Sequence, residues 1–318
     1  MPKRHREISS TATASNATAT DSNATAPPSY ITFSPDMVLS PGKSDIIFTA
    51  DCVKILPTLK TNSAQIIIAD PPYINTDHED VPSYVDWAEV WVGECLRILK
   101  ENGTMFIIGL SENLALILAR IPMSIQRRWL VWHYNNKTDK SLQFWQRSHE
   151  SIIVLWKNKD AVFHREDLRE DNPDEFLKEQ LLAEAAAAVA RGKFSQNDNT
   201  VINKFGALPR DVIKIATVTG ASGAKERVDH PGQKPLALCE KLLLSCRQYP
   251  PPPDPSNPNS TTPPTPEAME ETGYVLIPFA GAGTECLAAK RLGLPFIGIE
   301  INEDYVNIIH ERLTNCDM

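Results

Sequence analysis

The chain has 318 residues, 42% of them hydrophobic, which is enough to bury the core of one large catalytic domain with insertions, or of two modest domains. Its formal net charge of −8 argues against a protein that coats nucleic acid nonspecifically, while a local basic groove on an acidic chain stays open. No run of about 18 apolar residues is present, so no membrane span is expected, and the N-terminus lacks an apolar secretory core.

Residues 1–44 are rich in Ser, Thr, Ala and Pro and poor in large apolar residues, so they read as a disordered low-complexity tail. Alternating α/β material follows. A strand is expected at 45–48 and a short helix at 52–59. The Ile-rich run 65–69 reads as a strand buried on both faces. Trp87, Val90, Trp91, Cys95 and Leu99 give 84–99 a helical spacing. Further strands are expected at 104–109, 129–134 and 151–156, with a helix at 114–119 between the first two. A helix at 235–246 opens on Pro235, a residue suited to a first turn. Strands at 274–279 and 295–299 flank a glycine-rich turn and a helix at 284–292, and a helix at 306–313 follows. Strands alternating with helices imply a parallel sheet covered on both faces.

Two segments interrupt this pattern. Residues 160–228 include a charged helical stretch from 167 to 190 and are expected to form a small target-recognition insertion. Residues 249–271 carry Pro250 to Pro253 and later Pro263, Pro264 and Pro266, which suits neither a helix nor a central strand. They are expected to be an extended insertion within the segment 229–318, which pairs with 45–159 to make one domain. The six cysteines form no C-x-x-C pair and mostly sit in apolar contexts, as reduced thiols of an intracellular protein do. No metal site is expected from them.

Three motifs carry chemistry. Asp70-Pro71-Pro72-Tyr73 follows the strand 65–69 directly. In an α/β sheet the carboxyl end of a strand delivers its next residues to the ligand crevice. An amino nitrogen conjugated to a base ring is a poor nucleophile until acceptors draw on its hydrogens. Asp70 and the Pro71 carbonyl suit that task, Pro72 stiffens the turn, and Tyr73 offers a face for stacking a base. The second motif, Pro278-Phe279-Ala280-Gly281-Ala282-Gly283-Thr284, is a G-x-G turn between strand and helix that lets a ligand approach the backbone. Glu300 ends the next strand, where nucleotide-binding folds hold ribose hydroxyls. Cys286 stands where a dinucleotide fingerprint has its third glycine, which favours a nucleoside ligand without pyrophosphate. The third motif, His230-Pro231-Gly232-Gln233-Lys234-Pro235, precedes a helix and could line the same crevice.

Together and in this order, these segments resemble the β group of DNA amino-methyltransferases, in which D-P-P-Y comes first, then a recognition region, H-P-x-Q-K-P, and the glycine-rich donor segment. The match runs from about residue 45 to 313. Asp51-Cys52, Trp132 and His149-Glu150 are smaller points of similarity. The resemblance implies an α/β, Rossmann-like S-adenosylmethionine-dependent methyltransferase fold with circularly permuted motif order. It implies a site-specific enzyme acting on DNA, with S-adenosylmethionine as the donor and no metal. By resemblance, Asp70, Pro71, Pro72 and Tyr73 are the catalytic segment. Asp51 and Cys52 would meet the donor adenine and Glu300 its ribose. Phe279, Ala280, Gly281, Gly283 and Thr284 would wrap the donor, with Asp70, His230, Lys234 and Asn302 also in contact. The family's donor segment usually opens with Asp, and here the position is Ile277.

Basic residues interleave with aromatics between Arg120 and Arg147, so Lys137, Lys140 and Arg147 are the expected DNA contacts. Asp at the head of the catalytic motif favours adenine N6 as the target. Cytosine N4 is the first alternative, and a catalytically silent DNA-binding or partner subunit, suggested by Ile277, is the second. An RNA substrate fits less well, because most RNA enzymes with a similar tetrad place the donor motif first. The expected location is intracellular: cytoplasm or nucleoid in a bacterium, nucleus or organelle in a eukaryote. A homodimer is left open.

Overall fold

The structure is a computed structural model that describes residues 45–74, 80–136, 144–170, 187, 190–191, 207–219, 223, 225–248 and 273–317. The tail, the Pro-rich insertion, most of the charged stretch 167–190, and Lys137 and Lys140 lie outside the described residues.

The described strands are β1 (Ile46–Thr49), β2 (Ala64–Ala69), β3 (Leu99–Gly109), β4 (Gln126–His133), β5 (His149–Trp156), β6 (Val212–Lys214), β7 (Tyr274–Ile277) and β8 (Phe296–Glu300). The described helices are α1 (Cys52–Ile55), α2 (Val81–Ile98), α3 (Ser111–Arg120), α4 (Leu236–Cys246), α5 (Thr284–Arg291) and α6 (Glu303–Thr314). The strands form one sheet in the order β1-β8-β7-β2-β3-β5-β4-β6. No helix among the described residues is long and apolar enough to cross a membrane.

The central strands β2, β7 and β8 are buried on both faces. Along β2, Ile67 points into one apolar layer with Trp91, Cys95, Met105 and Ile107, while Ile66 and Ile68 point into another with Phe106, Leu238, Leu242 and Ala289. Successive side chains of a strand alternate between faces, so a strand with both faces covered has to be apolar throughout. Helix α2 covers the first layer with Val85, Ala88, Trp91, Val92, Cys95 and Ile98, all buried and at helical spacing. It starts where the Asp80 carboxylate accepts from the Ser83 amide, with Pro82 in the first turn. Helices α4 and α5 cover the second layer.

The expected all-parallel sheet needs correction. Strand β5 pairs antiparallel with both β3 and β4, while every other pairing is parallel. An almost continuously buried run usually marks a parallel strand, but β5 earns its burial by sitting between β3 and β4. The reversal has a consequence for the site. The carboxyl ends of β1, β2, β7 and β8 share one edge of the sheet with the amino end of β5. Part of the segment 160–228 also belongs to this sheet, since β6 pairs with β4.

Candidate active site

A cavity of about 760 Å³ opens at that edge. The Asp70, Pro71, Pro72 and Tyr73 segment, Asp51, Cys52, His230, Lys234, Phe279, Ala280, Gly281, Thr284 and Glu300 all line it. Segments far apart in the chain are brought together because their strands end side by side.

The Asp70, Pro71, Pro72 and Tyr73 segment is part of a buried polar cluster. The Lys234 ammonium donates to Asp70 Oδ2 at 2.5 Å and lies 3.7 Å from Glu150 Oε2. The Tyr73 hydroxyl lies 3.2 Å from Asp70 Oδ1 and 2.9 Å from Glu150 Oε2, and it has one proton to donate between them. Lys234 also sits over the Tyr73 ring, 5.2 Å from its centroid. Burial pushes the Asp70 carboxyl upward, and the adjacent Lys234 ammonium opposes that shift. The Lys234 pKa is held well above its ordinary value by the Asp70, Tyr73 and Glu150 groups, against the burial that would lower it. Lys234 thus counters the protonation of Asp70 that burial favours. Tyr73 is pushed upward chiefly by burial and stays a neutral phenol.

The surroundings fix this cluster. Tyr84 of α2 donates to the Pro72 carbonyl at 3.1 Å and Asn113 of α3 to the Ile74 carbonyl at 3.3 Å. Among the described residues, nothing donates to the Pro71 carbonyl. Lys234 is aimed by its own loop: the Gln233 side chain takes the Val228 amide and gives to the Glu226 carbonyl, both at 2.8 Å. Glu226 in turn accepts from the Leu236 amide at the start of α4.

The glycine-rich turn faces this cluster. Gly281 has φ +47°, and a Cβ there would lie 3.1 Å from His230 Nε2, so only glycine leaves the loop against the histidine. Gly281 N donates to Glu300 Oε2 at 2.7 Å and Asn302 N to Oε1 at 2.8 Å, which locks the carboxylate while leaving a lone pair free on each oxygen. Arg312 of α6 donates to the Ala282 carbonyl at 2.5 Å and to Thr284 Oγ1 at 2.9 Å, tying the turn down from behind. His230 packs edge-on to Tyr305, accepts from the Gly232 amide on Nδ1, and is shifted downward by burial and then by Lys234, so it stays neutral. Phe279 stands against Trp87 and Trp91 of α2, at 5.6 and 5.1 Å between centroids, and forms an aromatic wall.

Several expected contacts have other duties. Gly283 does not line the cavity: at φ +71° it begins α5, where a Cβ would come within 2.7 Å of Ile309. Asn302 caps α6 by accepting from the Asp304 amide at 2.9 Å. Asp51 caps α1 in the same way while facing the cavity. Cys52 is a core thiol pushed up to about 12 by burial. Arg147 makes an ion pair with Glu112 at 2.6 Å, just ahead of β5. Trp132 is buried and donates to the Ile215 carbonyl, yet it also lines the cavity.

Two buried acids escaped the sequence reading as site residues. Glu150 is the lone carboxylate of β5, just ahead of its apolar run 152–156, and that was the available signal. Glu285 sits in the first turn of α5 with nothing in the local pattern to mark it.

Comparison with known proteins agrees with this arrangement. A family model described as DNA methylase, for N6 and N4 methyltransferases, matches residues 64–311. The type II methyltransferase M.HpaI of Haemophilus parainfluenzae is 26% identical over 278 residues, covering 84% of this chain and 73% of that protein. The DNA adenine methyltransferase YhdJ of Escherichia coli is 28% identical over 279 residues, covering 84% and 82% respectively. In fold, the PvuII cytosine-N4-specific DNA methyltransferase superposes with a TM-score of 0.55 at 13% identity, over 87% of this chain and 92% of the other. M1.HpyAVI, solved with S-adenosylmethionine, gives 0.51 at 22% identity, over 84% and 98%. With a carboxylate-headed D-P-P-Y and a glycine turn with its acidic partner lining one cavity, this chain belongs to the N6/N4 DNA methylase family of S-adenosylmethionine-dependent methyltransferases.

Proposed function

We propose that the protein transfers a methyl group to the N6 amino group of adenine in DNA. The observation that carries this reading is the Asp70 carboxylate, held between Lys234 and Tyr73 in the wall of the cavity. Bound S-adenosylmethionine would supply an electrophilic methyl on a sulfonium. The cavity residues suit that donor. Glu300 can take ribose hydroxyls on its remaining lone pairs, the Trp87–Phe279 wall can cover an adenine, and the Gly281 turn leaves room for close approach. Five carboxylates line the cavity against Lys234 and Arg227, a balance that favours a cationic ligand.

The remaining steps belong to this chain. A base swung out of the duplex would stack on Tyr73. Asp70 and the Pro71 carbonyl would accept hydrogen bonds from its amino group and turn the nitrogen lone pair out of conjugation. Asp70 would then take the proton that the amino nitrogen gives up on gaining the methyl. Lys234 favours the ionised form of Asp70 against its burial, and Glu150 would fix the Tyr73 hydroxyl. Aspartate rather than serine at the head of the motif, together with the similarity to an adenine methyltransferase, favours adenine over cytosine. Phe144 and Trp145 are 77% and 84% exposed ahead of β5, beside Arg147, and would suit unstacked bases and phosphate at the rim.

Nucleoside mass spectrometry of unmethylated duplex DNA incubated with protein and donor tests the reading. N6-methyladenine is the expected product. N4-methylcytosine alone would overturn the base assignment, and no modified nucleoside from a donor-binding protein would favour the silent-subunit reading.

A further inference from the structure

We propose that Glu285 is the counter-ion for the α-ammonium group of the methyl donor. The proposal rests on the donor reading above and assigns a residue to the amino-acid end of that ligand.

Most carboxylates of the cavity are already engaged. Asp70 pairs with Lys234, Glu150 takes the Tyr73 hydroxyl, Glu300 holds two backbone amides and Asp51 caps α1. Glu285 is the exception. It is 4% exposed, it lines the cavity, and among the described residues its one side-chain partner is the Cys239 thiol at 3.7 Å. No cation among the described residues lies within ion-pair distance of it. A carboxylate left this way is costly unless something else neutralises it. Burial accordingly pushes Glu285 up to about 7, with Asp70 adding to the shift and Lys234 and Arg312 opposing it.

The geometry of a sulfonium donor supplies the missing cation. Its sulfur carries three arms. The methyl must face Asp70 and Tyr73, and the nucleoside arm leads to Glu300. The third arm, ending in an ammonium and a carboxylate, is left with the wall made by the glycine turn and the first turn of α5, where Glu285 stands. The strand-end position offers no substitute, because Ile277 is fully buried in the apolar layer beside α4 and α5. The acidic group that the donor segment lacks at its head therefore reappears eight positions on, behind the turn.

The test is calorimetric titration with two ligands: S-adenosylmethionine, and 5′-methylthioadenosine, which has the nucleoside but not the amino-acid arm. Glu285→Gln is nearly isosteric and removes a buried charge, so it should fold. It should weaken S-adenosylmethionine binding about 10- to 100-fold, the loss typical of a charge-assisted hydrogen bond, and leave 5′-methylthioadenosine unchanged. Glu300→Gln should weaken both ligands, which separates the two carboxylates. Wild type should also release protons on binding S-adenosylmethionine near pH 7, as seen by comparing buffers of different ionisation enthalpy, and Glu285→Gln should release fewer. Equal S-adenosylmethionine affinity in wild type and Glu285→Gln would overturn the Glu285 assignment alone. Failure of folded wild type to bind either ligand would overturn the donor reading and this assignment with it.

Discussion

Replacing Lys234 with methionine tests whether the cluster of Asp70, Tyr73 and Glu150 depends on its one ammonium. Lys234 has a side chain 3% exposed and touches two carboxylates, Asp70 at 15% and Glu150 at 9%. Removing one partner of a buried ion pair leaves the other charge uncompensated and typically costs about 3–5 kcal/mol. The cost should depend on pH in a defined direction. Burial already raises the Asp70 pKa, and Lys234 opposes that rise, so without Lys234 the native pKa climbs further above its unfolded value. A carboxyl with a raised native pKa weakens the fold at pH above that pKa, and the penalty disappears as pH falls toward the unfolded value. Lys234→Met should therefore be destabilised by about 3–5 kcal/mol at pH 8 and by clearly less at about pH 5. Lys234→Met with Asp70→Asn should recover much of the loss, because the pair is removed together. Urea denaturation followed by tryptophan fluorescence measures all three proteins. If Lys234→Met kept wild-type stability at pH 8 and lost only donor affinity, Lys234 would be a donor contact and the ion-pair account would be wrong.

Glu300→Ala should raise the Michaelis constant for the donor far more than it lowers turnover. As the proposed ribose ligand, Glu300 would act far from the transferring methyl, so its contribution would be lost equally from ground and transition states; steady-state kinetics with varied donor decides this, and a pure turnover defect would contradict it. Glu285→Gln should change the pH dependence of stability without donor. The wild-type carboxyl is raised from 4.5 to about 7, so it weakens the fold as pH rises through that window. The variant should thus gain on wild type between about pH 5 and pH 8, by up to ~3 kcal/mol. A constant difference across that range, in denaturation curves without ligand, would show that the acid is not buried as described.

The parts of the site legible in the sequence were those encoded locally. The Ile-rich run of β2 is apolar because both faces are covered, and the motif after it had to lie at a strand end. The G-x-G turn and Glu300 were likewise readable, since a strand, a turn and a following strand fix their relation. What could not be read were partnerships made across the chain. The contact of Lys234 with Asp70 spans 164 residues, and local spacing says nothing about it. Sequence suggested a donor contact for Lys234, while its ammonium is engaged by Asp70. Glu150 reaches the site because β5 runs against its neighbours, a direction that an apolar run does not encode. Gly283 was legible as a special residue but for another reason: its freedom serves the packing of Ile309.

The most direct test of the account is methyl transfer from a donor labelled with a deuterated methyl group, in single turnover, by wild type and Asp70→Ala. Wild type should place the label on adenine N6 in duplex DNA. Asp70→Ala should bind the donor nearly as well yet transfer about 10²–10³-fold more slowly, because the acceptor that draws on the amino hydrogens is gone. Label on adenine at the same rate in both proteins, or label only on cytosine, would contradict the account.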